Sequence, residues 1–460
     1  MCGIIGLSNV PDAARVAYLG LYALQHRGQE SAGIVTVDDQ GGPHLTRGMG
    51  LVGDIFKEAN FRELDGDVAL GHTRYSTAGS SVIANAQPCV ANYRGGPLAL
   101  AHNGNLTNAP IVKQSLVAEG AIFQSSSDSE IFVHLIARSR ETTPEAQIRE
   151  ALSLVEGAYS LVITVGRTLY CAVDPRGFRP LVLGRLGEGI IAASETCALD
   201  LVGATLIREL GPGDFVEVID GMVRDLPPLE RAPVAKRCVF ELVYFARPDS
   251  SIFGESVDRV RRELGRRLAA EHPAPGADVV FSVPDSANMM ALGFAEVSGL
   301  KLEHGLIRNH YIGRTFINPT QALRVAKVRI KFNPVKEVIA GRSVVVVDDS
   351  LVRGTTSKGL VQMIRGAGAR EVHLRLGSPP ITGPCHYGID TPNRDELIAA
   401  NYSIEEIQRY LGVDSLGYLS LDGMLAAAGS TRTSFCHACF SGQYPIEPLG
   451  ELAELATRDR

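Results

Sequence analysis

The run Val344-Val345-Val346-Val347 ends in Asp348-Asp349-Ser350, then passes through Arg353-Gly354-Thr355-Thr356-Ser357 into an apolar-periodic segment, Leu360 to Ile364. Paired carboxylates beyond a strand accept hydrogen bonds from sugar hydroxyls and present hard oxygens to a magnesium ion. A Gly-Thr-Thr-Ser turn opening a helix offers N–H groups and a positive dipole end to a phosphate. The combination is built to hold a sugar phosphate, whereas a bare Asp-Asp would read as a solvated turn. A second chemistry is available at Cys2. Removal of Met1 by an aminopeptidase would leave a thiol and a free α-amine on one residue. An α-amine titrates near ~7.7–8.0, so at neutral pH part of it is an unprotonated base. Nucleophile and base would then share Cys2, an arrangement suited to attack on an amide carbonyl. On position alone, Cys2 is equally a small apolar residue starting the strand Cys2-Gly-Ile-Ile-Gly-Leu.

The elements that must position these groups follow from periodicity. Tyr18 to Gln25 reads as a helix leading into His26-Arg27-Gly28-Gln29-Glu30-Ser31-Ala32-Gly33. A strand then reaches Gly71-His72-Thr73-Arg74-Tyr75-Ser76-Thr77, and another, Leu98 to Ala101, ends in His102-Asn103-Gly104-Asn105-Leu106. Ser125-Ser126-Ser127-Asp128-Ser129-Glu130 precedes an amphipathic helix, Ile131 to Ala137, with capping chemistry at its start. Polar clusters at element ends can converge on one site. There Arg74 can pair with an α-carboxylate, Asp128 can take an α-ammonium, and the Asn103 side chain and Gly104 N–H can donate to a tetrahedral oxyanion. That is the equipment of glutamine hydrolysis. His26, His72 and His102 read as loop supports, since the amine already provides a base. Cys89, Cys171 and Cys197 lie in apolar surroundings and read as inert.

Further strands are expected over Tyr159–Val165, Leu169–Val173, Leu181–Gly184, Gly189–Ala193 and Asp214–Ile219, before a proline-rich joint at Leu226–Pro233. The boundary falls near residue 235, giving domains 2–235 and 236–460. The second half alternates strands and helices, as a parallel sheet requires. After the basic helix Val257 to Ala270, the strand Asp278 to Val283 ends in Pro284-Asp285-Ser286-Ala287-Asn288. Ser286 is a candidate for a magnesium or pyrophosphate shell, or a simple helix cap. The cation-rich stretch Ile312 to Pro334 suits a mobile loop closing over an anion, with Arg314 and Lys331 as contacts, or else a solvated basic face. Four further cysteines are Cys238, Cys385 and the Cys436-His-Ala-Cys439 pair, whose spacing is open to redox, zinc or iron–sulfur roles and by itself favours zinc.

A length of 460 residues allows two or three domains, and a formal net charge of −6 argues against a nucleic-acid or acidic-membrane binder. No apolar stretch approaches a membrane span and the start is not that of a signal peptide, so the expected location is cytoplasmic. Eight cysteines in a reducing compartment point to thiol or metal roles rather than disulfides.

Two unrelated motif sets carry a resemblance to known families. The order Cys-Gly-Ile-Ile-Gly, His-Arg-Gly-Gln-Glu-Ser-Ala-Gly, His-Thr-Arg-Tyr-Ser-Thr, His-Asn-Gly-Asn-Leu and Ser-Asp-Ser-Glu resembles class II glutamine amidotransferase domains. The resemblance implies an α+β N-terminal-nucleophile fold, an αββα sandwich, with the roles given to Cys2, Arg74, Asn103, Gly104 and Asp128. The stretch from Val344 to Ser357 resembles the phosphoribosyl diphosphate (PRPP) loop of type I phosphoribosyltransferases, implying an α/β second domain. Together, over roughly residues 2–445, they resemble the amidophosphoribosyltransferase (glutamine PRPP amidotransferase) family, iron–sulfur class. That family implies glutamine and PRPP as substrates, Mg2+, and a [4Fe–4S] cluster on Cys238, Cys385, Cys436 and Cys439. It also implies a homo-oligomer, dimer or tetramer. Many iron–sulfur members carry a propeptide, whereas only Met1 precedes Cys2 here, so the expectation is maturation by the aminopeptidase alone. The rivals are an amidotransferase with another sugar-phosphate acceptor, against which the Asp348–Ser357 loop speaks, and a PRPP-sensing regulator, against which the full glutaminase set speaks.

Overall fold

The strand Gly3–Ser8 is buried on both faces and the first half is built around it. Ile5 and Leu7 point into a core with the helix Ala13–Ala23, while Ile4 points the other way into a core shared with a second sheet. Period-two side chains with no polar face need cover on both sides. The computed structural model describes residues 1–75, 80–230, 232, 234–310, 330–391, 393–429 and 434–447, and the counts below refer to them.

Gly3–Ser8 lies fourth in a seven-stranded antiparallel sheet ordered Thr205–Glu209, Val182–Leu186, Gly189–Ala193, Gly3–Ser8, Val68–Arg74, Ser31–Val37, Pro43–Met49. Facing it is a six-stranded sheet ordered Met222–Asp225, Phe215–Ile219, Thr168–Val173, Gly157–Val165, Gly96–Leu106, Cys89–Tyr93. Helices Ser129–Arg138 and Pro144–Ser153 cover its outer face. The result is the expected αββα sandwich.

The second half holds a five-stranded parallel sheet ordered Lys301–Leu302, Val279–Ser282, Ser343–Asp348, Glu371–Leu376, Ser415–Tyr418. Ser343–Asp348 is its central strand. Val344 and Val346 enter one core and Val345 and Val347 the other, each burial worth roughly 1.5–3 kcal/mol. The four-valine run is therefore what a strand covered on both faces needs, and it delivers Asp348 to the carboxyl edge of the sheet. The helix Thr355–Gly366 follows at once.

Several expectations need correction. His102–Leu106 is not a loop beyond a strand but the second half of the strand Gly96–Leu106, because its backbone pairs with Gly157–Ser160 and Leu161. His72, Thr73 and Arg74 likewise belong to the strand Val68–Arg74. The helix at Ser129–Arg138 lacks a side-chain cap from Asp128, whose carboxylate accepts from Leu106 N instead. Ser286 is not a cap either: Ala287 occupies that position and makes no side-chain cap bond. Most of the expected loop, with Arg314, lies outside the described residues, while Phe332–Pro334 pairs with Leu306–Arg308.

Candidate active site

The N-terminal strand brings Cys2 beside two other strands. Gly3 pairs with Thr73, which places Arg74 next to Cys2, and Cys2 N donates to Asn103 Oδ1 at 3.1 Å. Cys2 Sγ lies 3.7 Å from the Tyr75 carbonyl oxygen. Asn103 is fully buried, and with Oδ1 committed to Cys2 its Nδ2 has no hydrogen-bond partner among the described residues. An orphaned buried amide costs about 1–3 kcal/mol, so its retention calls for a reason. Gly104 follows Asn103 on the same strand. The strand Cys89–Tyr93 pairs only as far as Leu100, and past that point side chains replace it: His102 N donates to Gln87 Oε1 at 2.9 Å and Leu106 N to Asp128 Oδ2 at 3.0 Å. Backbone alternation aims the intervening Gly104 N–H to the same side. A Cβ on Gly104 would meet Ala158 O at 1.9 Å, so no larger residue fits there.

Arg74 is buried, donates to Ser80 O at 3.2 Å and lies 3.6 Å from Glu30. Asp128 sits 3.8 Å from His102 Nδ1. The three histidines are tied into structure. His26 bonds Glu195 at 2.7 Å, His72 donates to His102 O at 3.1 Å, and His102 contacts Ser129 Oγ at 3.1 Å. Burial pushes the His72 pKa down to about 3, so it stays neutral.

In the second half of the chain Asp348 and Asp349 are adjacent, Asp349 buried and Asp348 half-buried. Asp349 accepts from Ser286 Oγ at 2.6 Å and from Ser350 Oγ, and its N–H donates to Asp348 Oδ1 at 2.9 Å. Burial, and then the neighbouring charge of Asp349, raise the Asp348 pKa well above the usual carboxylate range, while burial also raises Asp349. Lys331 is close enough to oppose the rise at Asp348. Two carboxylates in this state favour a cation. Gly354 takes the left-handed conformation, φ +75°, ahead of the helix Thr355–Gly366, and Ser357 is buried in its first turn. Arg353 is exposed and pairs with Glu396 at 2.8 Å.

A family model for a glutamine amidotransferase domain matches residues 72–201. The chain is 48% identical over 451 residues to amidophosphoribosyltransferase 1, chloroplastic, of Arabidopsis thaliana, covering 97% of this chain and 79% of that protein. It is 46% identical over 456 residues to the amidophosphoribosyltransferase of Bacillus subtilis, covering 97% and 94%. The chain belongs to the amidophosphoribosyltransferase family. Its fold matches a solved structure of "the allosteric regulatory enzyme of purine biosynthesis" with a TM-score of 0.94 and 44% identity, covering 100% of this chain and 99% of that one. It also matches the B. subtilis glutamine PRPP amidotransferase complexed with ADP and GMP, with a TM-score of 0.92, 44% identity, and 99% and 100% coverage.

In this amidophosphoribosyltransferase fold the four remaining cysteines meet. Cys238, Cys385, Cys436 and Cys439 line one small, partly open cavity together with Phe178, Tyr387, Ile389 and Tyr444. Residues Arg237–Cys238 pair in parallel with Phe435–Cys436, which brings the tail onto the start of the second half. Burial pushes the Cys238 thiol up to about 11, and burial together with the other thiols raises Cys436 and Cys439. Among the described residues, no three His, Cys, Asp or Glu side chains converge closely enough to hold a single metal ion. Burial also pushes the Cys89 and Cys171 thiols up to about 12, but Cys197 is not in purely apolar surroundings, for its Sγ lies 3.7 Å from Glu195.

Sequence reasoning missed the buried charges between the halves of this family member. Arg27 donates to Cys2 O at 3.0 Å, to Glu241 at 2.8 and 2.9 Å, and to Glu195. Arg179 bonds Glu241 at 3.2 Å and Tyr387 O at 3.1 Å. Burial works against the charge on Arg27, yet Glu241 and Glu195 outweigh it and raise its pKa. Arg27 stood inside a quoted motif; Glu195 and Glu241 lie in segments with no pattern of their own, and only tertiary contact reveals them.

Proposed function

We propose that the chain splits glutamine at Cys2 and passes the ammonia to C1 of PRPP, giving 5-phosphoribosylamine, glutamate and pyrophosphate, the first step of de novo purine synthesis. The observation that carries the glutaminase half is Asn103, which binds the nitrogen of Cys2 with one end of its amide and leaves a buried donor at the other. We assign the glutaminase half to residues 2–235 and the phosphoribosyltransferase half to 236–460.

With Met1 removed, the Cys2 amine takes the thiol proton and Sγ attacks the amide carbon. Asn103 Nδ2 and Gly104 N–H donate to the oxyanion, Arg74 holds the α-carboxylate and Asp128 the α-ammonium. The carbon–nitrogen bond breaks as the leaving nitrogen gains a proton, and water then clears the thioester to glutamate. Ammonia must travel unprotonated, since ammonium has no lone pair, so the passage between sites has to exclude water. At C1 the new bond to nitrogen forms as the bond to pyrophosphate breaks. Asp348 and Asp349 hold the ribose hydroxyls, and Ser350 and the backbone from Arg353 through Gly354, Thr355 and Thr356 to Ser357 grip the 5-phosphate. Arg314 and Lys331 meet the pyrophosphate. Ser286, Asp348 and Asp349 are the residues we assign to Mg2+, which when bound supplies positive charge toward the leaving group; the raised carboxylates and the two hydroxyls on Asp349 support the fit.

Cys238, Cys385, Cys436 and Cys439 are assigned to a [4Fe–4S] cluster. Four thiols lining one small cavity support the assignment, since soft thiolates suit an iron–sulfur cluster. Bound there, it supplies a tie between the tail and the start of the second half. A homo-oligomer in the cytoplasm completes the proposal.

The deciding experiment replaces Cys2. Cys2→Ser is expected to lose phosphoribosylamine formation with glutamine and keep it with ammonium salts. Undiminished glutamine-driven turnover would end the proposal. Iron content and the visible spectrum of anaerobically purified protein test the cluster separately: a colourless, zinc-containing sample removes it and leaves the chemistry standing.

A further inference from the structure

The oxyanion strand is held from both halves of the chain. On one side Asn103, Gly104 and Asn105 pair with Ser160, Tyr159 and Ala158. Against them lies His386-Tyr387-Gly388, which comes from the second half. Asn105 Nδ2 donates to His386 O at 2.9 Å, and Arg179 Nε donates to Tyr387 O at 3.1 Å. Gly388 adopts a left-handed conformation, φ +104°, and a Cβ there would stand 2.9 Å from both the C and O of Gly104 and 3.1 Å from its Cα. No side chain intervenes: backbone rests on backbone. The same segment is anchored behind by the Tyr387 hydroxyl, which donates to Ile446 O at 2.6 Å and accepts from Ile446 N at 3.0 Å.

We propose that Gly388 is a positioning residue for the glutaminase reaction: the second half, through His386–Gly388, sets the Gly104 peptide and so the aim of the oxyanion donors. The inference rests on Cys2 chemistry being as described above. Its logic is steric. The Asn103 Nδ2 and Gly104 N–H must meet an oxygen that exists only in the tetrahedral intermediate, and displacement of such donors by a fraction of an ångström lowers kcat far more than substrate binding. The strand Cys89–Tyr93 stops pairing at Leu100, so beyond it one edge of the strand Gly96–Leu106 is held by the Gln87 and Asp128 side chains, and the segment from the other half packs against it.

The test compares Gly388→Ala and Asn105→Ala with the parent enzyme in the full chain, PRPP saturating. Gly388→Ala is expected to lower kcat for glutamate release by about 10²-fold, the scale of a misplaced donor, with KM for glutamine little changed. Phosphoribosylamine formation from ammonium should stay within about twofold, because that reaction uses no oxyanion donor. Alkylation of Cys2 by iodoacetamide, which needs no oxyanion donor, should keep its parental rate. Asn105→Ala introduces no clash, removes the bond to His386, and should shift kcat in the same direction; it keeps the test decisive if Gly388→Ala fails to fold. Unchanged glutamine kcat in both variants overturns the inference, as does an equal loss of both activities in Asn105→Ala. Failure of Cys2→Ser to abolish glutamine turnover is a separate result and strikes the underlying chemistry instead.

Discussion

Asn103 shows how much one amide can be asked to do. Its oxygen holds the nitrogen of Cys2, so the amide plane cannot rotate, and its buried Nδ2 is aimed without a ground-state partner. Preorganised donors of this kind act where charge develops and need no rearrangement. Asn103→Ala is therefore expected to reduce glutamine kcat by about 10²–10³-fold while ammonium-driven synthesis persists, measured by glutamate and pyrophosphate release. His72 lends itself to a pH experiment. The folded imidazole titrates near about 3 and the unfolded one near ~6.5, so between these values the unfolded chain binds more protons and stability rises with pH. The contribution is complete above pH ~6.5 and is lost as pH falls toward 3. His72→Gln should narrow the gap between denaturation midpoints at pH 7 and pH 4.5; a gap as wide as the parent's would show that His72 is not its source.

Elements were legible where a period or a turn residue states the local rule. The valine run declared a strand covered on both faces, and the alternation of strands and helices declared a parallel sheet; both stand in the structure. Polar residues misled in the opposite way. His102, Asn103, Gly104 and Asn105 look like a loop, yet a strand carries them, because its backbone partner Gly157–Val165 satisfies them regardless of side-chain polarity. Glu195, Glu241 and the Gly388–Gly104 contact were invisible because partners 52 or more residues apart in sequence leave no local trace. At this scale Gly354 offers a direct test. It holds φ +75° at the start of Thr355–Gly366, and a Cβ would approach Ile398 Cδ1 to 2.7 Å. Gly354→Ala should raise KM for PRPP and cost about 1–2 kcal/mol of stability, leaving PRPP-independent alkylation of Cys2 unaltered.

Across the whole molecule, the halves meet through charge as well as packing. Glu241 lies between Arg27 and Arg179, all three out of water, and Arg27 also reaches the Cys2 carbonyl. Arg261 lies in the same region, its pKa pushed down to about 10 by burial while the charge of Asp349 pulls the other way, and it donates to Leu242 O at 2.9 Å and Ala246 O at 2.7 Å. Removing one member of such a set strands the others. Glu241→Gln is expected to destabilise the protein by roughly 3–5 kcal/mol, seen as a lowered Tm in calorimetry; an unchanged Tm would mean the network carries no net stability.

The Tyr387 hydroxyl is fastened at both hydrogen-bonding ends to the backbone of Ile446. Synthesis on the ribosome runs from the amino end, so the clasp that seats Tyr387 and Gly388 emerges from the exit tunnel only after the whole of the glutaminase half. A nascent chain stalled short of that point has already made every glutaminase residue but has nothing to hold the loop against them. The enzyme's ability to liberate ammonia is thereby deferred until the half that consumes it has been made.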